Sequence, residues 1–289
     1  WERAEWRLIL KQIYSQVIQF RGNHYDFGYL QGKELKGSLT VENRAKQWKL
    51  RKPRFRVTPE EVKEALSVYT PWIWEELIGM QDALEWPLED VVMHFGGYRL
   101  ELIKSGCSIY TTEHYMIRNY DFHPKTYEGR FVLYQPTDQG LATIGPSQRI
   151  TGRMDGMNEK GLVIGYNFMN RRKPGNGFIC NMIARMILES CGTVDDAVLM
   201  LKDMPHRHSY SYVLLDASSE SVIVETTPRD VVIRRSEVCT NHFEILKHEN
   251  RFHLEDSLQR MLTIQAETKS RLEAVEAFRL FNDSDRGVF

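Results

Sequence analysis

Apolar residues recur along this chain with two different periods, and the change falls at residue 107. Ahead of it the pattern is mainly helical. Gln12 to Phe20 alternates, with Ile13, Val17, Ile18 and Phe20, and predicts a strand closed by Arg21-Gly22. His24 to Leu35 predicts a short helix with Phe27, Leu30 and Gln31 near one face. Thr58-Pro59-Glu60-Glu61 is a helix start: threonine caps, proline occupies the first turn, and Glu61 completes a capping box ahead of Val62, Leu66 and Tyr69. Trp72, Trp74 and Trp86, near Leu77 and Leu84, read as packing anchors, and Leu88 to Lys104 as an amphipathic helix that delivers the chain to Gly106.

From Cys107 the period is two. Residues 108–112, 115–119, 130–135, 141–145, 150–154 and 162–167 are strand candidates of an antiparallel sheet, separated by turn signals such as Asn158-Glu159-Lys160-Gly161. A helical pair interrupts them. Ile179, Met182, Ile183, Met186 and Ile187 share a face up to Gly192, and Thr193 to Asp196 caps a helix carrying Val198, Leu199 and Leu201. Strands resume at 211–216, 221–225, 231–235 and 238–241, followed by helices over 255–265 and 270–280. Two sheets between helical layers, an α+β sandwich of order αββα, is the packing this element order predicts. No repeat or charge block marks a linker, so residues 1–106 read as a mainly helical N-terminal extension packed on a catalytic domain of residues 107–289.

Composition narrows the function. The 289 residues are 42% hydrophobic and 27% charged with net charge −1, a balance that points to neither nucleic acid nor membrane as partner. The four cysteines form no CxxC pair, and of nine histidines only His206 and His208 sit close together, so neither a metal site nor a disulfide framework is expected, and no cofactor is implied. The run Leu8-Ile9-Leu10 is too short and too polar in its surroundings to be a targeting or spanning segment. The first residue is Trp1 and the last lie in a turn, so the natural chain is expected to extend further.

The chemistry centres on Ser105-Gly106-Cys107-Ser108. A thiol at Cys107 can attack the carbonyl of Gly106, shift the acyl group from nitrogen to sulfur, and let water cut the thioester; glycine, without Cβ, permits the close approach. A freed α-amine, with a reference pKa of about 7.7–8.0, can then take the proton of a thiol with one of about 8.5. One residue becomes both nucleophile and base. Taken alone a Gly-Cys pair is more often core packing, but four features downstream suit this chemistry. Arg118-Asn119-Tyr120-Asp121 ends the next strand, where a hairpin returns Arg118 and Asp121 to Cys107. Asp155-Gly156-Met157-Asn158-Glu159-Lys160-Gly161 makes a hairpin turn. Asn241, in Thr240-Asn241-His242-Phe243, offers an amide donor for an oxyanion. Asp256-Ser257-Leu258-Gln259-Arg260 presents an arginine from a helix.

These motifs, in this order, resemble the N-terminal-nucleophile hydrolases of the choloylglycine hydrolase and penicillin acylase superfamily, and most of all the branch of acyl-coenzyme A:6-aminopenicillanic acid acyltransferase. The resemblance spans roughly residues 107 to 260. It implies the αββα fold and cleavage or transfer at the carbon-nitrogen bond of a linear amide through a Cys107 thioester, with an acyl-coenzyme A among the donors. It also implies Cys107 as nucleophile, Asp121 as its orienting carboxylate, Arg118 assisting, Asn158 in the oxyanion hole chiefly through its backbone N–H, Asn241 as side-chain donor and Arg260 completing the network, with Arg251 the second choice for that last place. Tyr110, Tyr120, Phe122 and Tyr166 are candidates for an acyl pocket.

The 106 residues ahead of Cys107 depart from the short leaders of bile salt hydrolases and penicillin V acylases. They favour the acyltransferase-like branch, a heterodimer of self-cleaved chains that is also open to homo-oligomerisation. A free nucleophilic thiol is best kept in a reducing cytoplasm. Two other readings compete: an unprocessed cysteine hydrolase with His242 or His123 as base, and a non-catalytic acyl-peptide or small-molecule binding protein of the same fold.

Overall fold

The computed structural model describes residues 15–39, 41–42, 57–100, 106–121, 128–169, 173–251 and 254–288. The chain opens with β1 (Gln16–Gly22) and α1 (His24–Leu35), whose first turn is capped by the Asn23 side chain accepting from the Asp26 N–H at 2.7 Å. Next come α2 (Pro59–Tyr69), with the expected Thr58/Glu61 capping box, then α3 (Trp72–Leu84) and α4 (Leu88–Phe95). The helix expected to run to Lys104 stops nine residues early, at Phe95. Gly96 caps it, and Gly97 (φ 66°) and Arg99 (φ 55°) then turn the backbone left-handed, a conformation no helix continues through.

The strands that follow are β2 (Gly106–Thr111), β3 (Met116–Asp121), β4 (Arg130–Pro136), β5 (Thr143–Gln148), β6 (Gly152–Arg153), β7 (Gly156–Asn158) and β8 (Val163–Phe168). Helices α5 (Cys180–Ser190) and α6 (Val194–Asp203) precede β9 (Tyr210–Leu215), β10 (Ser221–Thr226), β11 (Val231–Arg234) and β12 (Val238–Cys239). Helices α7 (Leu254–Glu267) and α8 (Ala274–Phe281) and a 3-10 turn (Ser284–Arg286) follow, and none of the described helices is long and apolar enough to cross a membrane.

Two sheets form. The larger has the order β1-β4-β5-β7-β8-β9-β10-β11, with β6 beside β5; the smaller has the order β12-β2-β3. Pairing is antiparallel except for β1 on β4, which run parallel from Gln16 opposite Arg130 to Gly22 opposite Pro136. The layers follow from which side of each strand is apolar. Ile164, Tyr166, Tyr212, Leu214, Val222 and Val224 bury one face of the large sheet under α2 to α6. Ile109 and Cys239 of the small sheet meet Val213 and Ile223 of the large one. Tyr110 and Val238, on the small sheet's other face, pack beneath Ile264, Ala277, Leu280 and Phe281. The order is therefore helices, sheet, sheet, helices. A completely buried aliphatic or aromatic side chain contributes about 1.5–3 kcal/mol to such a core.

The N-terminal segment shares this core. Leu35, Val62, Leu66, Ile73, Leu77 and Met80 lie in one apolar cluster with Ile164, Ile183 and Ile187. Phe27 stacks on Tyr134 with ring centroids 4.1 Å apart. Helix α1 crosses α3 at backbone contact: a Cβ on Gly28 would sit 2.0 Å from the Glu76 carbonyl oxygen, and one on Gly79 2.0 Å from that of Tyr25. Alanine in a helix interior is ordinarily favoured over glycine by about 1 kcal/mol. Here Gly79→Ala is expected to reverse that sign and cost about 1–3 kcal/mol by overpacking, read as a lowered urea midpoint.

A buried ionic cluster crosses the same boundary. Arg185 donates from Nε to Glu189 Oε1 at 2.8 Å and from Nη1 to Glu76 Oε1 at 2.9 Å, with Nη2 on Glu76 Oε2. His24 places Nδ1 2.8 Å from Asp138 Oδ1 and Nε2 3.4 Å from Glu189 Oε2. Burial alone would lower the imidazole's pKa, but the hydrogen bond and charge of Glu189 carry it above its ordinary value. Gln31 and Trp72 donate to Glu76 and Glu189, completing the carboxylates' partners.

Candidate active site

Cys107 is the second residue of β2, and alternation turns its side chain, like that of Ile109, toward the large sheet. It is fully buried. The β2–β3 register sets Gly106 opposite Asp121, Cys107 opposite Tyr120 and Ile109 opposite Arg118, so Arg118 lies two residues along on the same face. Its guanidinium reaches back, with Nη2 3.8 Å from the Cys107 Sγ.

Arg118 is held from several sides. Nη1 donates to Asp155 Oδ2 at 2.8 Å and to the Met154 carbonyl at 3.0 Å, and Nη2 donates to the Tyr166 carbonyl at 2.5 Å. The guanidinium carbon lies 4.2 Å from the Tyr120 ring centroid and 4.9 Å from that of Tyr166. Burial opposes its charge, but the Cys107 sulfur and the Asp155 carboxylate outweigh that and drive its pKa further up. Burial raises both tyrosine hydroxyls above their ordinary pKa, so they act as neutral phenols.

The backbone of Cys107 is gripped as well. Its N–H donates to Asn241 Oδ1 at 2.7 Å, and its carbonyl accepts from Arg260 Nη1 at 2.6 Å. Arg260 Nη2 donates to the same Asn241 Oδ1 at 2.9 Å, and Nη1 also donates to Ser108 Oγ at 2.8 Å. The segment carrying Asn241 and helix α7 carrying Arg260 are docked on each other by the neighbours of these two residues. Ser257, one turn before Arg260 on α7, accepts from Thr240 at its carbonyl (3.0 Å), and its hydroxyl lies 2.8 Å from His242 Nδ1. The loop beyond is anchored on the buried Glu225 carboxylate, which accepts the backbone N–H groups of Glu244, Ile245 and Leu246. Asn167 on β8 donates to the carbonyls of Cys239 and Thr240 and fixes the segment from behind.

The structure thus brings Cys107, Arg118, Asn241 and Arg260 together, with Tyr120 and Tyr166 around Arg118 and Gly106 directly ahead of Cys107 at the start of β2. It differs from expectation at four points. Asn241 turns its carbonyl oxygen, not its amide nitrogen, to Cys107; Nδ2 donates to the Phe168 carbonyl at 2.8 Å. Asn158 stands apart: its backbone N–H, the group assigned to the oxyanion hole, closes its own hairpin on the Leu162 carbonyl at 3.0 Å. Its side chain bonds Leu188, Cys191, Lys160 and Leu162. Of that motif it is Asp155 that reaches the site. Tyr110 faces the helical layer, an odd number of residues from Cys107 and therefore on the opposite face.

Arg251 is exposed and donates to the neighbouring Asn250 carbonyl, which leaves the position to Arg260. Backbone pairing sets Asp121 against Gly106, while its side chain, Phe122 and His123 lie outside the described residues. His242 bonds Thr240 and Ser257, and burial lowers its pKa to about 4.

Sequence reasoning did not single out Gln148 or Asn167 and assigned no role to Ser108 of the Cys107 motif. The available signal was a polar side chain interrupting a strand that is otherwise buried, as Asn167 does in β8. Burial pushes the Cys180 and Cys191 thiols up to about 12 and that of Cys239 to about 11, so all three stay protonated at neutral pH. No three His, Cys, Asp or Glu side chains among the described residues group as a metal site would. A cavity of about 320 Å³ opens at Arg118 and Asp155, lined by Met116, Phe131, Ile144 and Ile164.

Residues 110–289 match the family model described as acyl-coenzyme A:6-aminopenicillanic acid acyl-transferase. No curated protein matches the sequence. Among solved structures, penicillin V acylase from Agrobacterium tumefaciens is similar at 17% identity and a TM-score of 0.37 over 64% of each chain, so the present chain spans just under two thirds of that enzyme. A variant of conjugated bile acid hydrolase from Clostridium perfringens is similar at 13% identity and a TM-score of 0.39, over 68% of this chain and 74% of that one. The Caenorhabditis elegans ortholog of N-acylethanolamine-hydrolyzing acid amidase gives 10% identity and a TM-score of 0.44, over 62% and 86%.

Proposed function

Because the chain belongs to the acyl-coenzyme A:6-aminopenicillanic acid acyl-transferase family, we propose that it is an amidohydrolase or acyltransferase acting on the carbon-nitrogen bond of a linear amide, with Cys107 as a self-generated N-terminal nucleophile. The observation that carries this reading is the grip on Cys107 itself. Amide nitrogen, carbonyl oxygen and sulfur each meet a separate polar partner, Asn241, Arg260 and Arg118, from different elements. Any buried backbone N–H and C=O needs a partner, but a merely structural cysteine needs no guanidinium beside its sulfur.

In processing, the Cys107 sulfur adds to the Gly106 carbonyl carbon, the Gly106–Cys107 carbon-nitrogen bond breaks, and the nitrogen takes the thiol proton. Water then hydrolyses the thioester to a Gly106 carboxylate and a free thiol. In turnover the α-amine, held by Asn241 Oδ1, takes the thiol proton as the sulfur attacks a substrate amide and returns it to the departing amine. Arg260 places a positive charge beside that amine and so favours its neutral, basic form. Arg118 stabilises the thiolate and the oxygen that gains charge in the tetrahedral intermediate. Asp121 remains the proposed orienting carboxylate of the amine. The apolar cavity beside Arg118 suits an uncharged acyl group.

The test is to incubate processed protein with N-acyl amino acids, penicillin V and acyl-coenzyme A donors. The acyl mass should appear on the peptide that begins at Cys107, and the products should show whether water or an amine accepts it. Binding of these donors without acyl-enzyme or product from any of them would reduce the protein to a binding role.

A further inference from the structure

We propose that Gln148 is a positioning residue of this site: its side-chain amide joins the hydroxyls of the two tyrosines whose rings flank Arg118, and thereby fixes the guanidinium against the Cys107 sulfur. The inference rests on the reading of Cys107 as nucleophile. Gln148 is the last residue of β5 and is 7% exposed. Its Nε2 donates to the Tyr120 hydroxyl at 2.8 Å, and its Oε1 accepts from the Tyr166 hydroxyl at 2.7 Å. Tyr120 stands on β3 in the small sheet and Tyr166 on β8 in the large one, so the amide couples the two sheets at the level of Arg118.

The residue type fits the task. One bond needs a donor and the other an acceptor, which an amide supplies on one planar group; a carboxylate has no N–H, and a thioether has no donor and only a weak acceptor. Gln148 is itself fixed, because its backbone carbonyl accepts from Asn181 Nδ2 on α5 at 2.8 Å. An arginine side chain carries many rotamers; hydrogen bonds to Asp155 and to the Met154 and Tyr166 carbonyls hold the guanidinium at Nη1 and Nη2 and leave one pivot, the tilt of its plane about that edge. Ring contacts at 4.2 Å and 4.9 Å remove the pivot only while the rings stay in place, and the hydroxyl bridge keeps them there.

A bland alternative is that Gln148 only satisfies two buried hydroxyls, which affects stability but not the thiol. The two are separated by following Cys107 alkylation by iodoacetamide against pH in processed protein, with thermal melting alongside. Gln148→Met keeps the bulk and removes both bonds; it is expected to raise the alkylation midpoint by about one pH unit, roughly a tenfold loss of thiolate below the midpoint. Tyr120→Phe should shift it in the same direction, and adding Gln148→Met to Tyr120→Phe/Tyr166→Phe should shift it no further.

A Gln148→Met protein that melts earlier but keeps the wild-type profile overturns the proposal. If that variant does not fold, Tyr120→Phe and Tyr166→Phe remove the same bonds with the rings in place, and an unchanged midpoint in both overturns it equally. A wild-type Cys107 inert to alkylation at every pH overturns the nucleophile reading beneath it, an outcome distinct from a reactive Cys107 indifferent to Gln148.

Discussion

Cys107→Ala is expected to run as one intact chain on a denaturing gel, where the wild type resolves into a piece ending at Gly106 and a piece starting at Cys107, and to lose turnover of every amide. In the proposed mechanism the sulfur both breaks the peptide link and carries the acyl group, and nothing else among the described residues at the site replaces it. The neighbouring Ser108 hydroxyl points away, donating to the Val288 carbonyl at 2.8 Å. Removing the nucleophile of a covalent mechanism costs on the order of a millionfold in kcat. Because alanine fits where cysteine did, the variant should fold and melt close to the wild type, which separates lost chemistry from lost structure. Mass analysis that finds the wild-type chain uncut under all conditions would sink the processing step while leaving the fold intact.

Arg185→Ala should be the most destabilising single substitution, by about 3–5 kcal/mol in urea unfolding. Its guanidinium is fully buried and satisfies Glu76 and Glu189 together, both themselves without exposure. Truncating it removes their one bidentate cation and leaves two carboxylates in the interior facing neutral donors, the His24 imidazole and the more distant charge of Arg153. Burial would then force protonation or unfolding. Removing the carboxylates as well, with Glu76→Gln and Glu189→Gln in an Arg185→Met background, should recover most of the loss, since an uncharged set of similar volume carries no desolvation penalty. Equal damage from both variants would mean that packing, not charge, governs this region.

Local signals made much of the fold legible. The Thr58/Glu61 and Thr193/Asp196 capping boxes start their helices where expected, and His24–Leu35 is a helix over the predicted span. The overrun of α4 to Lys104 came from weighing apolar periodicity above Gly96-Gly97, two residues that end a helix more surely than a few leucines extend it. Strand β7 was hidden because Gly156 to Asn158 read as part of a turn. The parallel pairing of β1 with β4 had no local signature at all: it joins segments more than a hundred residues apart, and only the assembled core selects it.

At the site, the motifs and the resemblance they carry point to Cys107, Arg118, Asn241 and Arg260, which the structure sets side by side. The motifs did not say which atoms face inward. Asn241 presents its oxygen because the Cys107 N–H and the Arg260 guanidinium are both donors, and Asp155 rather than Asn158 arrives at Arg118 because the hairpin consumes the asparagine. The exclusion of Tyr110 was available in advance, since positions three apart on a strand cannot share a face.

The parallel seam between β1 and β4 would give the proposed cut after Gly106 an asymmetric cost in time. Before scission one chain carries both strands, so a molecule that melts retains its own missing edge and recovers at any dilution. Afterwards the strand and the sheet it completes belong to separate polypeptides, and once they part, re-forming the pair becomes an encounter between two solutes. Activation would then trade a reversible protein for one that lasts only as long as it does not open.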